Sequence, residues 1–431
     1  MKEEKDQIKI FKHVMQCITF EYRGYSIDRI AITIVNYIVL KNFRLPWISI
    51  RDIFLAVSFK AFGDRKVNAL MTFPSEYSSR VDYLEIWDFV KNQVEDKDSH
   101  FISYPKVFSI NIRHYARVYR IVKRIKYLRF SQKRDLWVSL VMFLNAIDNA
   151  ERNLKIRPRK YVSFYSCQWA ENLLTQFFKK RNIPTYNLQH GIFSFQDRNF
   201  AEYSINCIIN SDYQIVWGEL SKNELNLRKA GSVLIGGYPR KTNFTSLKKP
   251  VAKNCYVFLS KKNFDSENKK LLSILSIVNT KNGNDYNFYI KLHPSLNYLK
   301  YEKIVQSDNF SSRFRLLENG LSVDEILKRG GIDFCISVNT TTYYECYVNG
   351  IVSLRYEADS FHKFYSIAND SFMNAIQLEA LIKRVYDFSP IYFDTKKISQ
   401  NLNYVMGYDI NNYASILNEQ SRLENISNGL N

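Results

Sequence analysis

Three short polar motifs in this chain combine residue types that could perform acid–base chemistry or bind phosphate. The first is Gln189-His190-Gly191, which follows a predicted strand. A free imidazole titrates at about 6.5, so His190 suits the role of a general base, and the adjacent glycine would let the loop turn sharply. A structural histidine in a loop explains the same motif, and residue type and position by themselves slightly favour that explanation.

The second motif is Lys291-Leu292-His293-Pro294, at the end of another predicted strand. Lys291 and His293 stand two residues apart and would share one face of the strand, while Pro294 keeps the preceding backbone out of the helical region. A cation beside an imidazole could clamp a phosphate. Taken alone, a His-Pro dipeptide is a weak indication of such a site.

The third motif leads from a strand end at Ser337 through Thr340 and Thr341 into a predicted helix that contains Glu345. Hydroxyls and free backbone N–H groups at a helix start can bind phosphate, and a carboxylate beside them can accept hydrogen bonds from ribose hydroxyls. For this motif alone, ordinary N-capping by Ser and Thr is the simpler explanation.

Alternating strands and helices position these motifs. From residue 159 onward the pattern predicts two blocks of strand–helix–strand units, one before Gly236-Gly237-Tyr238-Pro239 and one after a polar linker. This alternation predicts an α/β protein with two facing Rossmann-like domains and a largely helical N-terminal portion. Ligands of such sheets bind beyond the carboxyl ends of the strands, which is where all three motifs fall.

The predicted domain boundaries follow from this pattern. We expect residues 1–240 to form an N-terminal, acceptor-side α/β domain and 241–253 to form a linker. Residues 254–400 would form a nucleotide-donor-binding Rossmann-like domain, and 401–431 a C-terminal helical tail.

Composition narrows the class of protein further. The 431 residues are 46% hydrophobic, which excludes a disordered or fibrous chain, and the six cysteines include no CxxC pair that would indicate a zinc site or a disulfide scaffold. The first residues do not resemble a secretory signal, and no apolar stretch approaches the roughly 20 residues that span a bilayer. We therefore expect a cytoplasmic protein whose contact with a membrane is peripheral.

The positive charge is concentrated in one segment. The chain has 61 basic and 42 acidic residues, a net charge of +19, and residues 101–160 alone hold 15 basic and three acidic residues. Within that segment, Arg113, Arg117, Arg120 and Arg124 fall on one stripe of a predicted amphipathic helix. The stripe could bind an anionic lipid surface, a polyanionic acceptor or nucleic acid, and the alternative is a solvated face that supplies solubility.

Together the motifs resemble those of two-domain bacterial glycosyltransferases of the GT-B fold that build capsules and other surface polysaccharides. The nearest by motif are the sialyl- and polysialyltransferases and the capsule Kdo transferases, and more distantly the CDP-glycerol glycerophosphotransferases. The resemblance covers roughly residues 161–385. It rests on a strand–His-Pro unit followed about 40 residues later by a strand–Ser/Thr–helix–Glu unit, with strand–Gln-His-Gly in the preceding domain.

The resemblance implies which residues bind the donor. His293 with Pro294 would contact the donor nucleotide, as the His-Pro motif does in the sialyltransferase group. Ser337 with Thr340 or Thr341 would correspond to the paired hydroxyls that hold the donor phosphate.

The resemblance also implies a base, a ribose contact and a hinge. Glu345 looks like the ribose-side carboxylate of GT-B enzymes, and His190 would replace the acidic catalytic base of the sialyltransferases. Gly237 and Arg240 resemble the Gly-x-Pro hinge that precedes the second domain in this fold.

The mechanism that these roles imply is a direct displacement. His190 would take the proton of an acceptor hydroxyl, while Lys291, His293 and the Ser337–Thr341 helix start stabilise the departing nucleotide phosphate. No metal, and no cofactor beyond the nucleotide-sugar donor, is then required. The resemblance favours a CMP-sugar as the donor only slightly.

Four aspartates match or could replace parts of this scheme. Asp96-Lys97-Asp98 fits a DxD metal motif, but it lies in a charged run with no predicted strand before it, so we interpret it as a solvated loop. Asp197 and Asp212 are reserve candidates for the base.

Two other functions fit parts of the sequence. A sugar-nucleotide 2-epimerase also has two such domains, but it would not need a basic segment for an extended or lipid-linked acceptor. A nucleic-acid-binding protein would use basic helices with interleaved aromatics, but no recognised nucleic-acid module is present. The expected partners are therefore a nucleotide-sugar donor, a glycan or lipid-linked acceptor and the inner face of an anionic membrane, with no nucleic acid.

Overall fold

A computed structural model describes most of the chain, and within it the chain divides into two compact units. Unit 1 comprises residues up to Val216, Ser221–Pro239 and the segment from Asn412, and unit 2 comprises Trp217–Leu220 and Arg240–Asn411. The segment predicted as one C-terminal tail is thus shared between the units. The described residues are 2–40, 51, 55–57, 62–102, 106–108, 111–192, 210–226, 232–240, 244–281, 286–307, 310–318, 320–338, 340–357 and 365–418.

Unit 1 is built on a six-stranded parallel sheet with the spatial order β10-β9-β8-β7-β4-β5. This is the flavodoxin-like order extended by one strand. The strands of this sheet are β4 (Lys66–Pro74), β5 (Lys97–Ile102), β7 (Arg157–Ser163), β8 (Thr185–Leu188), β9 (Tyr213–Val216) and β10 (Ser232–Ile235). Two antiparallel pairs accompany it: β1 (Glu21–Tyr22) with β2 (Tyr25–Ser26), and β3 (Leu55–Val57) with β6 (Lys106–Phe108).

Unit 2 is built on a second six-stranded parallel sheet, in the order β13-β12-β11-β14-β15-β16. Numbered along the chain this is 3-2-1-4-5-6, the strand order of the Rossmann fold. Its strands are β11 (Asn254–Phe258), β12 (Asn287–Lys291), β13 (Phe314–Leu316), β14 (Phe334–Val338), β15 (Ser353–Tyr356) and β16 (Ser371–Phe372). The prediction of two Rossmann-like α/β domains is confirmed.

Helices connect the strands in both units. Those of unit 1 are α1 (Lys2–Cys17), α2 (Ile27–Val35), α3 (Val81–Gln93), α4 (Ile112–Arg124), α5 (Phe130–Asn153), α6 (Trp169–Lys179), α7 (Glu219–Asn226) and α14 (Tyr413–Asn418). Those of unit 2 are α8 (Asp265–Lys281), α9 (Tyr298–Val305), α10 (Val323–Arg329), α11 (Thr342–Val348), α12 (Ala375–Asp387) and α13 (Thr395–Met406). No helix within the described ranges is both long and apolar enough to cross a membrane.

The N-terminal portion is largely helical, as predicted, but it also supplies two strands of the unit 1 sheet that the sequence pattern did not reveal. Strand β4 is buried at seven of its nine positions. A central parallel strand is covered on both faces and therefore shows a continuous apolar run instead of alternation, which cannot be told from a buried helix by periodicity. Because the sequence pattern did not predict β4, it did not show where the strand order of the unit 1 sheet reverses, which is between β4 and β7.

Helix α5 is the centre of the largest apolar core of unit 1. From Leu136 to Ala150 only Trp137 and Met142 are not buried. A helix that is apolar on all sides must be covered on all sides, and residues of α2, α4 and α6 belong to the same apolar cluster. The apolar run at 136–144 is therefore a core helix.

The segment after β10 is held against α14 at close range. A Cβ atom added to Gly236 would lie 2.6 Å from the Ile215 side chain and 2.7 Å from the Tyr413 ring. The next residue, Gly237, has a φ of 95° and its carbonyl accepts a 2.8 Å hydrogen bond from the Tyr413 hydroxyl. Gly236 thus leaves room for its close neighbours, and Gly237 adopts a backbone conformation that favours glycine. The boundary between the units follows at Pro239.

We predict that Gly236→Ala destabilises unit 1 by about 1–3 kcal/mol, because the added methyl overlaps atoms that packing holds in place. Urea unfolding followed by circular dichroism measures the change. Gly320→Ala is the matched control, since a Cβ at that position would have no neighbour within 4 Å. Equal midpoints for the two variants would contradict the close approach.

Candidate functional site

Both sheets place polar residues at the carboxyl ends of their strands. In unit 2, β11 and β14 are neighbours, and the chain leaves them toward opposite sides, to β12 and to β15. Open α/β sheets bind ligands beyond the strand ends at such a switch point. Lys291 ends β12 and Thr340 follows β14, so the two predicted motifs of unit 2 lie along this edge.

Lys291 is a half-buried cation with no counter-charge among the described residues. Burial lowers the pKa of its ammonium group. Its backbone carbonyl accepts a 3.1 Å hydrogen bond from the N–H of Leu259, which fixes the strand end. No described residue forms a hydrogen bond or ion pair with the ammonium group itself. A partly desolvated ammonium group is stabilised by an opposite charge, so Lys291 suits an anionic ligand.

His293 is oriented by the residue two positions further on. Its Nδ1 accepts a 3.1 Å hydrogen bond from the N–H of Ser295 and lies 2.9 Å from the Ser295 hydroxyl, which in turn accepts a 3.0 Å hydrogen bond from the N–H of Lys262. Since Nδ1 accepts, the neutral ring carries its proton on Nε2. The loops that follow β11 and β12 are thereby joined, and Pro294 is exposed beside them.

Ser337 is not accessible to a ligand. Its side chain is fully buried in β14, and its Oγ lies 3.1 Å from the Oγ of Ser353 on the neighbouring strand β15. The prediction that Ser337 holds the donor phosphate is therefore wrong. Its hydroxyl already has a partner inside the sheet, because residue type at a strand end does not reveal which way the side chain points.

Thr340 and Thr341 lie at the start of α11, as predicted. The Thr340 hydroxyl donates to Thr342 Oγ1 at 3.2 Å and accepts a 3.4 Å hydrogen bond from the N–H of Thr342. Thr341 makes no capping hydrogen bond through its side chain. Thr340 therefore acts partly as a cap, and the helix that it precedes has only seven residues.

Two residues that the resemblance assigns to separate roles form an ion pair. Nη1 of Arg240 lies 3.4 Å from Oε1 of Glu345, and both side chains are only 13% exposed. The guanidinium group fixes the position of the carboxylate through a charge-assisted hydrogen bond. The ion pair joins the first residues of unit 2 after the unit boundary to helix α11.

A buried network of hydrogen bonds holds helix α11 in place. The hydroxyls of Tyr343 and Tyr347 each donate a 2.6 Å hydrogen bond to Oδ2 of Asp370. Burial raises the pKa of Asp370 to about 6. Sequence reasoning missed this carboxylate, because it lies more than 20 residues from its partners in a segment without a motif. The network fixes the helix that carries Glu345.

In unit 1, His190 follows β8 and lies in a recess of aromatic side chains. Its ring centroid is 4.4 Å from that of Tyr165, 5.3 Å from that of Tyr83 and 5.6 Å from that of Phe164. Burial, and to a lesser degree the neighbouring Arg80 cation, lower the pKa of His190 to about 4. The ring is therefore neutral, and its buried Nδ1 makes no hydrogen bond with a described residue.

The turn that carries His190 is held by Gln189 and does not depend on Gly191. The Gln189 side chain donates to the Gly191 carbonyl at 2.8 Å and to the Ser221 hydroxyl at 3.0 Å. Gly191 does not have a positive φ, and a Cβ there would meet nothing within 4 Å. The expectation that the glycine allows a sharp turn is wrong, because the amide side chain provides the constraint.

Glu171 holds the loop after β7, on which Tyr165 is placed. This fully buried carboxylate accepts hydrogen bonds from the N–H of Phe164 at 3.0 Å, from the N–H of Tyr165 at 2.6 Å and from the Thr72 hydroxyl at 2.7 Å. Burial raises the pKa of Glu171 to about 8. The N–H of Phe164 also donates to the Thr72 carbonyl at 3.1 Å, so the hydrogen bonds to Glu171 and this one together tie the loop beside His190 to β4.

The other acidic candidates lie elsewhere. Asp98 belongs to β5 and forms an ion pair with Arg65 at 2.6 Å, so its assignment to a solvated loop is wrong. Asp212 accepts hydrogen bonds from the N–H and hydroxyl of Thr185 at the start of β8, the opposite end from His190. Asp197 lies outside the described residues. Within the described ranges, no group of three or more His, Cys, Asp and Glu side chains is arranged to hold a metal ion.

The predicted arginine stripe lies on the exposed face of α4. Arg113, Arg117, Arg120 and Arg124 are all exposed, while His114, Val118 and Val122 are buried on the other side. Tyr119 lies on the exposed side of the helix with the arginines and is 57% exposed.

Comparisons with known proteins give similarities at low sequence identity. No protein-family model and no curated protein matches the chain. A solved UDP-GlcNAc 2-epimerase from Neisseria meningitidis, bound to UDP-GlcNAc, is 13% identical, with a TM-score of 0.49, over 84% of this chain and 100% of its own.

Two transferases have comparable values. The glycosyltransferase of kitacinnamycin is 9% identical, with a TM-score of 0.49, over 82% of this chain and 98% of its own. The lipopolysaccharide outer core galactosyltransferase WaaB is 13% identical, with a TM-score of 0.48, over 82% and 98%. These names belong to the compared proteins and assign neither activity to this chain.

We predict that His190 stays neutral down to about pH 4, because protonation would place a charge in a desolvated recess beside Arg80. NMR of the protein labelled in its histidine rings measures the titration, and the spectrum of His190→Gln assigns the signal. A solvated histidine, such as one in the unfolded chain, titrates at about 6.5. A His190 signal that titrates there in the folded protein would show that the ring is solvated.

Proposed function

We propose that this chain is a glycosyltransferase that moves a sugar from a nucleotide-activated donor to a glycan or lipid-linked acceptor in the synthesis of capsule, lipopolysaccharide or another surface polysaccharide. The observation that carries the proposal is Lys291, a half-buried cation without a described counter-charge at the carboxyl edge of a Rossmann-ordered sheet. The motif resemblance assigns the same edge to the donor nucleotide.

The donor would bind through those predicted residues of unit 2 whose side chains are not buried inside the sheet. Lys291 would neutralise a donor phosphate, and Nε2–H of His293 would donate a hydrogen bond to the nucleotide. Glu345, held by Arg240, would accept hydrogen bonds from the ribose. Thr341 is the remaining hydroxyl for the phosphate, since Ser337 is buried and Thr340 caps α11.

The proposed reaction is a displacement at the anomeric carbon. The acceptor oxygen forms a bond to that carbon as its proton passes to Nδ1 of His190, and the bond between the carbon and the phosphate oxygen breaks. The electron pair stays on the nucleotide phosphate, where Lys291 offsets its charge. A pKa of about 4 keeps His190 neutral, as a base must be, but makes it a weak proton acceptor. The mechanism therefore requires that substrate binding raise the pKa of His190.

We expect one of CMP, CDP, UDP and GDP to stabilise the protein in a thermal-shift screen, with CMP slightly favoured. A ligand at 100 times its Kd adds about 2.7 kcal/mol of stability, which is several degrees in Tm. Lys291→Ala and His293→Ala should abolish the shift, whereas Lys303→Ala, an exposed lysine of the same unit, should keep it. Indifference of the wild-type protein to all four nucleotides would contradict the proposal.

The epimerase alternative has its own test. An epimerase converts UDP-GlcNAc to its 2-epimer without an acceptor, and proton NMR of the sugar detects the product directly. A glycosyltransferase leaves the configuration at that carbon unchanged. Accumulation of the 2-epimer would replace the proposed function.

For the acceptor side, we propose that the protein associates peripherally with the cytoplasmic face of an anionic membrane. Four large apolar side chains around the arginine stripe are exposed: Ile112 (77%), Tyr119 (57%), Tyr127 (62%) and Phe130 (87%). No acidic residue occurs between positions 112 and 134. Exposed apolar side chains beside positive charge fit a surface whose headgroups are anionic and whose interior is apolar, which a soluble polyanion does not offer.

We expect the protein to float with vesicles of phosphatidylglycerol and phosphatidylcholine but not with phosphatidylcholine alone, and less at high salt. The combined change Arg113→Gln, Arg120→Gln, Arg124→Gln and Phe130→Ser should abolish flotation. The matched control is Lys383→Gln, Lys396→Gln, Lys397→Gln and Ile391→Ser, which removes three exposed cations and one exposed apolar side chain of unit 2. Retention of DNA without vesicle binding would instead support the nucleic-acid alternative.

A further inference from the structure

A second ligand site is indicated at the carboxyl edge of the unit 1 sheet. There β4 and β7 are neighbours, while the chain leaves β4 toward β5 and β7 toward β8 on the opposite side. This is the switch point of unit 1, where open sheets leave a crevice. Tyr77 and Tyr83 follow β4, and Tyr165 follows β7, so aromatic side chains flank the crevice from both sides.

The tyrosines form one cluster with His190. The Tyr77 ring centroid lies 5.4 Å from that of Tyr83 and 6.2 Å from that of Tyr165, and both of those rings contact His190. Tyr37 lies close enough that its hydroxyl contributes to raising the pKa of Tyr77. All four tyrosines are half-buried, so part of each remains accessible to a ligand.

Two polar groups in the cluster have no partner among the described residues. One is the hydroxyl of Tyr165, for which the structure shows neither a hydrogen bond nor an ion pair. The other is Nδ1 of His190. A buried polar atom without a partner is costly, which applies to Nδ1 of His190. Together with the Tyr165 hydroxyl it indicates a ligand that both donates and accepts hydrogen bonds.

The one cation of the cluster, Arg80, already has an anionic partner, and the carboxylate of Glu76 also acts on Tyr37 and Tyr77. The Arg80 guanidinium lies 4.1 Å from the Tyr83 ring centroid and donates two hydrogen bonds to Asp82, at 2.9 and 2.5 Å. Arg80 thus already has a bidentate carboxylate and does not call for an anionic ligand.

We propose that this tyrosine cluster (Tyr37, Tyr77, Tyr83 and Tyr165, with Arg80 and His190) binds an uncharged pyranose ring. A pyranose presents apolar C–H groups on its faces, which pack on aromatic rings, and hydroxyls around its edge, which both donate and accept hydrogen bonds. A hydroxyl of such a ring could reach Tyr165 and Nδ1 of His190. That this ring belongs to the acceptor rests on the proposed glycosyltransferase function.

Saturation-transfer NMR with methyl hexopyranosides tests the site without knowledge of the true acceptor. The panel contains the methyl glycosides of glucose, galactose, mannose and N-acetylglucosamine, with methyl glucuronide as the anionic member. We expect transfer to at least one neutral glycoside and binding about tenfold weaker in Tyr165→Ala and Tyr83→Ala. Tyr165→Phe should lose less, because it keeps the ring and removes the hydroxyl. Tyr392→Ala, which removes an exposed tyrosine of unit 2, should bind as the wild type does.

Three results would overturn the proposal: no transfer to any neutral glycoside, a preference for the glucuronide, or unchanged transfer in Tyr165→Ala and Tyr83→Ala variants that remain folded by circular dichroism. The nucleotide screen on the same samples separates the two proposals. Nucleotide binding without glycoside binding removes the tyrosine site and leaves the transferase. Glycoside binding without nucleotide binding keeps the tyrosine site and contradicts the proposed transferase function.

Discussion

Within each of the two six-stranded sheets all strands are parallel, and this pairing is the constraint on which the candidate sites depend. Parallel strands need crossover connections, so chain segments far apart in sequence end at one edge of a sheet. In unit 2 that edge brings Lys291 and His293 to the same side as Thr340 and Glu345. In unit 1 it brings Tyr77 and Tyr83 to the same side as Tyr165 and His190.

Desolvation shifts the pKa values of several ionisable side chains near these two edges. Burial lowers the pKa of Lys291 and of His190, and it raises the pKa of Glu171 and of Asp370. The two carboxyl groups have local donors and hold backbone or tyrosine side chains in place, so they serve positioning. Lys291 and His190 have a polar atom without a described hydrogen-bond partner, and they therefore suit ligands. The same physical effect separates supporting residues from candidate binding residues.

The local pattern predicted much of unit 2. The sequence pattern indicated a block of alternating strands and helices after the linker, where β11, β12 and β14 lie, because each of these strands is a short apolar run between turn residues. The helical stripe of arginines was also predicted, since periodicity is a local property. Strand β4 was not, because a strand covered on both faces has no alternation to detect. Missing β4 also hid the tyrosines that follow it.

The sequence by itself determined that this chain has two Rossmann-like domains, a basic helix and histidines at strand ends. These features can be read from the order and spacing of residues that are close together in the sequence. The tertiary structure decided which of those residues a ligand could reach. Ser337 and Thr340 stand three positions apart, yet one hydroxyl is sealed between strands and the other caps a helix. Gly191 proved dispensable to its turn, while Glu171 and Tyr165 acquired roles from their burial and neighbours. Orientation and desolvation depend on contacts between distant segments, which no local sequence pattern records.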